Sequence, residues 1–264
     1  FTRAGELLGR SQPAVTLKIK RLEDLIDDKL FLRRGKNLEL SDSGIALYDY
    51  AEQILTLNDL AISQISKSAV YGKIRLGIPS EFATVLLPKI VSRFAKAYPN
   101  VTLEVNCELS KHLLTKAGRE NHDLILALAD QHADLDADLV KKDELVWVSS
   151  ENFKHTKEGA VPLIVASEGC IYRHTAITSL NNADLSWQIV YTNPDLTGIQ
   201  YAIQEGLGVT VLARSTVPEN LHILSTSTGL PSLDNVSINL ICNEQRRSDE
   251  AIGLLKEFLT TSLT

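Results

Sequence analysis

RSQPAVTLKIKRLEDLIDDKLFLRRGKNLEL, residues 10–40, decides the reading of this chain. Ser11 is placed to cap a helix, and Pro13 falls in its first turn, where a missing N–H costs nothing. Val15, Leu17, Ile19, Leu22, Leu25 and Ile26 supply an apolar face for about four helical turns. The opposite face carries Gln12, Thr16, Lys18 and Lys20, side chains that reach base edges and phosphates. LFLRR (30–34), then Gly35, Lys36 and Asn37, then LEL (38–40) read as two short strands around a basic turn. A polar-faced helix followed by a basic hairpin is the layout of a winged helix-turn-helix, and it predicts double-stranded DNA as the partner.

Net charge at first opposes that partner, because the 264-residue chain carries −6. Its distribution removes the objection: residues 1–40 hold nine Lys/Arg against six acids, a local +3, and the remainder holds −9. Screening cuts off distant charge beyond about 8 Å, so the local basic surface governs phosphate attraction. The length fits one small domain plus a larger α/β domain, and 44% hydrophobic content supports a full core. No run approaches a membrane span, and no export signal is visible. Cys107, Cys170 and Cys242 form neither a close pair nor a metal-ligand spacing, which suits a reduced cytoplasmic chain. The six histidines show no i,i+4 pair, so no metal is expected.

After the hairpin, Ser41 or Asp42 can cap a long helix. Leu47, Tyr50, Ile54, Leu57 and Ala61 recur along it at heptad-like steps, with Ile65 just beyond. Packing within the head takes part of that seam, and a second copy of the chain is the expected partner for the rest. Ser66 through Gly72 reads as a hinge. Strands and helices then alternate: Lys73–Ile78 (strand), Phe82–Tyr98 (helix), Val101–Val105 (strand), Lys111–Arg119 (helix) and Leu124–Ala129 (strand). A second group follows, with Leu163–Ala166, Arg173–Asn181, Gln188–Tyr191, Asp195–Glu205 and Val209–Leu212, before a final helix from about Asp249 to Leu259. The alternation predicts doubly wound parallel sheets in two lobes. The expected domains are 1–41 (winged helix-turn-helix), 42–68 (linker helix) and 72–264. The last divides into lobe I, about 72–145 and 244–264, and lobe II, about 146–243. Trp147 and Trp187 read as core, and Gly206-Leu207-Gly208 as a helix C-cap turn.

For DNA, Gln12, Pro13, Thr16 and Lys18 form the groove face, with Ser11, Arg33, Arg34 and Lys36 on phosphates or in the minor groove. Lys20 and Arg21 suit a solvated helix face equally well. A small-molecule effector is expected between the lobes, at the carboxyl ends of strands. Ser80 and Glu81 follow one strand, Ser110 opens another helix, and Asn193 to Thr197 open one on the second lobe. Ordinary helix capping explains each of these residues singly; their convergence is what suggests a site. Cys170 and Arg173 flank the same cleft. Cys170 lies four residues from His174, a spacing that can lower a thiol pKa, so redox sensing through Cys170 is an alternative reading.

The chain resembles the LysR-type transcriptional regulators. The blocks that carry the resemblance are SQPAV (11–15), KRLE (20–23), LFLRR (30–34) and SDSG (41–44) in the head. They are followed by GKIRLG (72–77), LLP (86–88), AYPNV (97–101) and EGLGVTVLA (205–213). EGCIYR (168–173) is similar to the LrhA/HexA-like branch. The resemblance implies a first head helix preceding Phe1, since Phe1–Leu8 begins where the family's second helix does. It implies a linker helix that pairs two heads, and a periplasmic-binding-protein-like effector domain. It also implies a homotetramer built as a dimer of dimers, with RNA polymerase as a further candidate partner. Similarity supports Ser80, Ser110 and 193–197 as cleft-lining. Glu81 stands where many members have a small or apolar residue, which disfavours a simple carboxylate effector and favours a neutral or cationic one. No cofactor is expected. A solute-binding protein is a rival that leaves residues 10–40 without a role. An enzyme is a rival that lacks any catalytic constellation in the sequence.

Overall fold

The computed structural model describes residues 1–34, 37–65, 70–130, 133, 135–151, 153, 159–225 and 228–263. The chain forms two compact units, Phe1–Ser68 and Ala69–Thr264. In the first, α1 (Thr2–Leu7) is followed by α2 (Gln12–Ile26). Ser11 has the extended N-cap backbone expected of it, but its hydroxyl makes no capping bond, and Pro13 occupies the first turn. The apolar face of α2 is narrower than its sequence suggests. Val15 is buried and Ile19 and Leu22 are half-buried, whereas Leu17 and Leu25 are 49% and 80% exposed, and Ile26 is exposed too. Positions 15, 19 and 22 follow the four-three step of one stripe, whereas 17 falls on the opposite face and 25 on its flank.

Asp27, in the left-handed region at φ 53°, ends α2. β1 (Phe31–Arg34) and β2 (Asn37–Leu40) then pair antiparallel, with Arg34 opposite Asn37. α3 (Asp42–Ile65) starts at Ser41, whose Oγ accepts from the Gly44 amide at 2.9 Å and donates to the Lys29 carbonyl. The long helix is thereby fastened to the root of the hairpin. Gly35, Lys36 and residues 66–69 of the expected hinge lie outside the described residues, as does the Arg34 side chain.

The second unit runs β3 (Gly72–Ile78), α4 (Ser80–Val85), α5 (Leu87–Ala97), β4 (Val101–Cys107), α6 (Ser110–Leu113), α7 (Lys116–Asn121) and β5 (Leu124–Asp130). It continues with β6 (Asp138–Ser149), β7 (Val161–Val165), α8 (Ile171–Asn182), β8 (Trp187–Thr192), α9 (Leu196–Gln204), β9 (Thr210–Ala213), β10 (His222–Ile223), β11 (Asn235–Cys242) and α10 (Glu250–Leu263). Two expected helices are each split in two. Pro88 in the first turn of α5 cannot continue α4, and Thr115 caps α7 by accepting from Gly118 N at 3.1 Å.

Sheet order corrects the expectation of purely parallel sheets. β3 is parallel to β4 and β5, and β7 to β8, but β11 lies antiparallel between β5 and β6. β6 is the crossing strand. Its first half pairs with β11 in lobe I, and its second half pairs with β9 and β10 in lobe II. β11 therefore belongs to lobe I, although its residues were expected in lobe II. Ile164 N donates to Val209 O at 2.8 Å, which joins the β7–β8 pair to the rest of lobe II.

α10 returns to pack on α5, β3 and β6, burying Leu255 and Leu259 completely, and each such side chain stabilises the fold by roughly 1.5–3 kcal/mol. Asp123, 1% exposed, receives the Arg75 amide at 2.8 Å, the Arg75 guanidinium at 2.9 Å and Arg246 at 3.0 Å. Burial resists its ionisation, but these donors outweigh it and hold the carboxyl below its ordinary range. Trp147 is buried as expected, while Trp187 is only half-buried. Gly206, at φ 77°, makes the expected turn after α9.

Candidate functional site

The head presents α2 by its N-terminal half. Ser11, Gln12, Pro13 and Lys18 are exposed and Thr16 is half-buried. Gln12 Nε2 donates to Thr16 Oγ1 at 2.9 Å, and Thr16 Oγ1 donates to the Gln12 carbonyl at 3.0 Å. This link uses one Nε2 proton and leaves Oε1 and the second Nε2 proton for the bidentate contact that Gln makes to adenine. Arg33 is exposed on β1. The hairpin is set against α2 by acids at its root. Glu23 binds Lys29 Nζ at 2.8 Å and the Leu30 amide at 3.0 Å, and Asp28 accepts from Ser43 and from the Lys29 amide. Along α3, Tyr50, Ile54 and Leu57 are each more than 60% exposed, Ala61 is exposed and Leu47 is half-buried. A second exposed line, Ile45, Tyr48 and Leu55, was not anticipated.

In the second unit, the loop after β3, the start of α6 and the first turns of α8 and α9 converge on a cavity of about 40 Å³. Ser80, Glu81, Ser110 and Cys170 line it, with Tyr172 and Leu196. Ser110 Oγ accepts from the Leu128 amide at 2.9 Å, which pins α6 to β5. Glu81 is 9% exposed, and burial pushes its carboxyl up to about 7. The Tyr172 hydroxyl lies beside Glu81 and Thr216 but completes a hydrogen bond with neither. Cys170 takes the N-cap position of α8, where burial pushes its thiol up to about 11. A raised thiol disfavours the thiolate that the redox alternative requires. An open pocket of about 620 Å³ adjoins this cavity, sharing Ser110, Leu128, Cys170 and Ile171. Arg173 and Lys111 border it, and Arg173 also donates to the Ala166 carbonyl at 3.3 Å.

Two family models divide the chain between them. One for bacterial regulatory helix-turn-helix proteins of the lysR family matches residues 1–45, and one for the LysR substrate binding domain matches residues 68–264. The chain belongs to the LysR family. It is 28% identical over 249 residues to the HTH-type transcriptional regulator DgdR of Burkholderia cepacia, covering 94% of this chain and 84% of that one. It is 31% identical over 223 residues to the uncharacterized HTH-type transcriptional regulator YusT of Bacillus subtilis (strain 168), covering 83% and 76%. Among solved structures, the LysR-type regulator CrgA from Neisseria meningitidis has the same fold. Its TM-score is 0.60 at 18% identity, over 99% of this chain and 93% of that one. DarR of Vibrio fischeri, solved in complex with DNA, gives 0.58 at 21%, over 98% and 92%. This LysR-type protein is thus a DNA-binding transcriptional regulator with an effector-binding domain.

Within this LysR fold, the anticipated effector residues separate. Ser80, Glu81, Ser110 and Cys170 meet around one cavity, and Arg173 borders the adjoining pocket. Asn193 and Thr197 line neither. Asn193 accepts from the Asp195 amide at 2.9 Å and donates to the Tyr191 hydroxyl at 2.8 Å, so it is spent on holding its own loop. A Cβ on Gly198 would come within 2.2 Å of Asn193 Nδ2, so this loop needs glycine there. Thr197 is exposed, and its amide donates to the Asp195 cap. Pro194 and Leu196 face the cavity instead. Tyr172 was missed because a tyrosine in the first turn of a helix reads as packing. Lys111 was missed because it reads as a solvated charge.

Proposed function

We propose that this LysR regulator reads its operator with Gln12, Pro13, Thr16 and Lys18 in the major groove and with Arg33 on the phosphate backbone. The observation that carries the reading is the exposed Gln12 bonded to a half-buried Thr16 on a helix whose only buried side chain is Val15. Ser11, with its hydroxyl free of any capping role, joins the phosphate contacts. The exposed seam on α3 pairs with that of a second copy, so that two heads meet successive major grooves, and pairs of dimers give a tetramer. A small-molecule effector held between the lobes shifts the spacing of the heads by binding one lobe arrangement better than another. The regulator acts in the cytoplasm and catalyses no reaction; among the described residues, no helix is long and apolar enough to cross a membrane. Kinship with the LrhA/HexA-like branch rests on residues 168–173.

The test is binding of the intact chain to duplexes selected from a random pool, measured across salt concentrations. Affinity that falls steeply with salt, together with a base preference altered by Gln12→Ala, supports the reading. An unaltered preference discards α2 as the reading helix.

A further inference from the structure

A folded chain that buries a carboxyl group normally gives it a cation or several donors, because an isolated charge out of water is heavily penalised. Glu81 departs from that rule. It is buried, forms no ion pair among the described residues, and neighbours a Tyr172 hydroxyl that is itself buried and unbonded. Burial first, then the charges of Asp195 at the cap of α9 and of Glu81, push the Cys107 thiol up, so an acid from each lobe lies near Cys107. Among the described residues no Lys, Arg or His pairs with Glu81, and only its own backbone amide and the adjacent tyrosine favour its charge.

Size and position sharpen the point. A cavity of about 40 Å³ takes a headgroup and little more, while the adjoining 620 Å³ leaves room for the body of a ligand. Charge reverses between the two. Lys111 and Arg173 border the outer pocket, together with Glu168 and His174. Lys111 crosses from α6 to lie over Gly169, where a Cβ would come within 2.7 Å of its Cδ.

We propose that the effector is a small amino-acid-like zwitterion, its ammonium docked on Glu81 and Tyr172 in the inner cavity and its carboxylate turned to Lys111 and Arg173. This rests on the cleft being the effector site. An ammonium supplies three donors, and the Glu81 carboxylate and Tyr172 oxygen accept from it. Only ionised Glu81 makes the pair, and its carboxyl is pushed up to about 7. Its titratable neighbours are Tyr172, Cys170 and Cys107; the charge of Arg173 also reaches Cys170, and that of Asp195 reaches Cys107. Burial raises the tyrosine and both thiols, so they stay protonated through neutral pH and Glu81 governs the dependence. Affinity for the ammonium therefore drops about tenfold from pH 8 to pH 6.

The experiment is calorimetric titration of the full chain with the common L-amino acids, each binder compared with the 2-hydroxy acid of the same side chain. The expected result is an amino acid that binds at least tenfold more tightly than its hydroxy acid, with the preference lost in Glu81→Gln and weakened at pH 6. The wild-type pH profile stands even if the variant folds poorly. Equal affinity for both acids, an unchanged dissociation constant in Glu81→Gln, or no binding by any amino acid overturns the proposal. A hydroxy acid that binds equally well but is lost in Ser110→Ala overturns the ammonium site and keeps the cleft. A ligand that ignores both variants removes the cleft as well.

Discussion

On α2 the polar side chains stand in water and bond one another, Gln12 to Thr16 at 2.9 Å, with Lys18 and Arg33 exposed around them. In the interlobe cavity two polar groups are buried and poorly matched, Glu81 without a cation and Tyr172 without a partner for its hydroxyl. The first surface costs the fold almost nothing, and it meets a polyanion by releasing counterions, so salt tunes it. The second holds a desolvation penalty that the proposed ammonium would relieve, so pH is expected to tune it. Two binding surfaces of one chain are thus expected to answer to different solution variables.

The largest effect expected from breaking that contrast is at Glu81. Its folded-state carboxyl is raised from 4.5 to about 7, so the unfolded chain releases its proton first. Stability therefore falls as pH rises through that interval and stays lower above it. Glu81→Gln removes the ionisation cost, and the variant gains about 3 kcal/mol over the parent at pH 8 and little at pH 4. Urea unfolding at the two pH values checks this. A difference that is the same at both means that water reaches the carboxyl.

Smaller effects are expected on the head. Gln12→Ala costs about 1–3 kcal/mol at one base position and leaves the others unchanged, as read from binding to single-base variants of the selected duplex. Arg33→Ala weakens all sequences together and lowers the salt slope by about 1, the signature of a phosphate contact. If Arg33→Ala instead changes base preference, the hairpin reads sequence as well as backbone.

The head was legible at the level of elements because its signals are local. Pro13, the four-three stripe, the basic pair at 33–34 and the Ser41 cap each act within a few residues of the structure they specify. What local pattern could not give was which apolar residues of α2 find partners, and Leu17 and Leu25 do not. In the second unit the crossing strands were hidden for a physical reason. β11 buries Ser237 and Asn239, which bond the Ala129 carbonyl and one another, so a strand buried at all but its two ends reads as partly polar. β6 carries Lys141, Lys142, Asp143 and Glu144 through its lobe I half, which hides it equally well. The cavity residues Ser80, Glu81 and Ser110 follow strand ends and were legible from topology. Tyr172 was not, because an unsatisfied hydroxyl is a property of packing.

The smallest effect expected is at the hairpin root, where Glu23 joins Lys29 and the Leu30 amide. Its hydrogen bond with Lys29, then that with the Leu30 amide, holds the carboxyl below its ordinary value. A lowered folded-state pKa adds stability that is present above about 4.5 and is lost as pH falls through the folded value. Glu23→Gln keeps an acceptor for the Leu30 amide and loses only the ion pair, which water and salt already weaken. The head should therefore lose slight stability at pH 7, less in high salt, and none once the pH lies well below the folded-state value, as followed by thermal unfolding of the full chain. A loss that persists in strong acid would show that Glu23 sets the hairpin by shape and hydrogen bonding, and that charge on the head serves DNA alone.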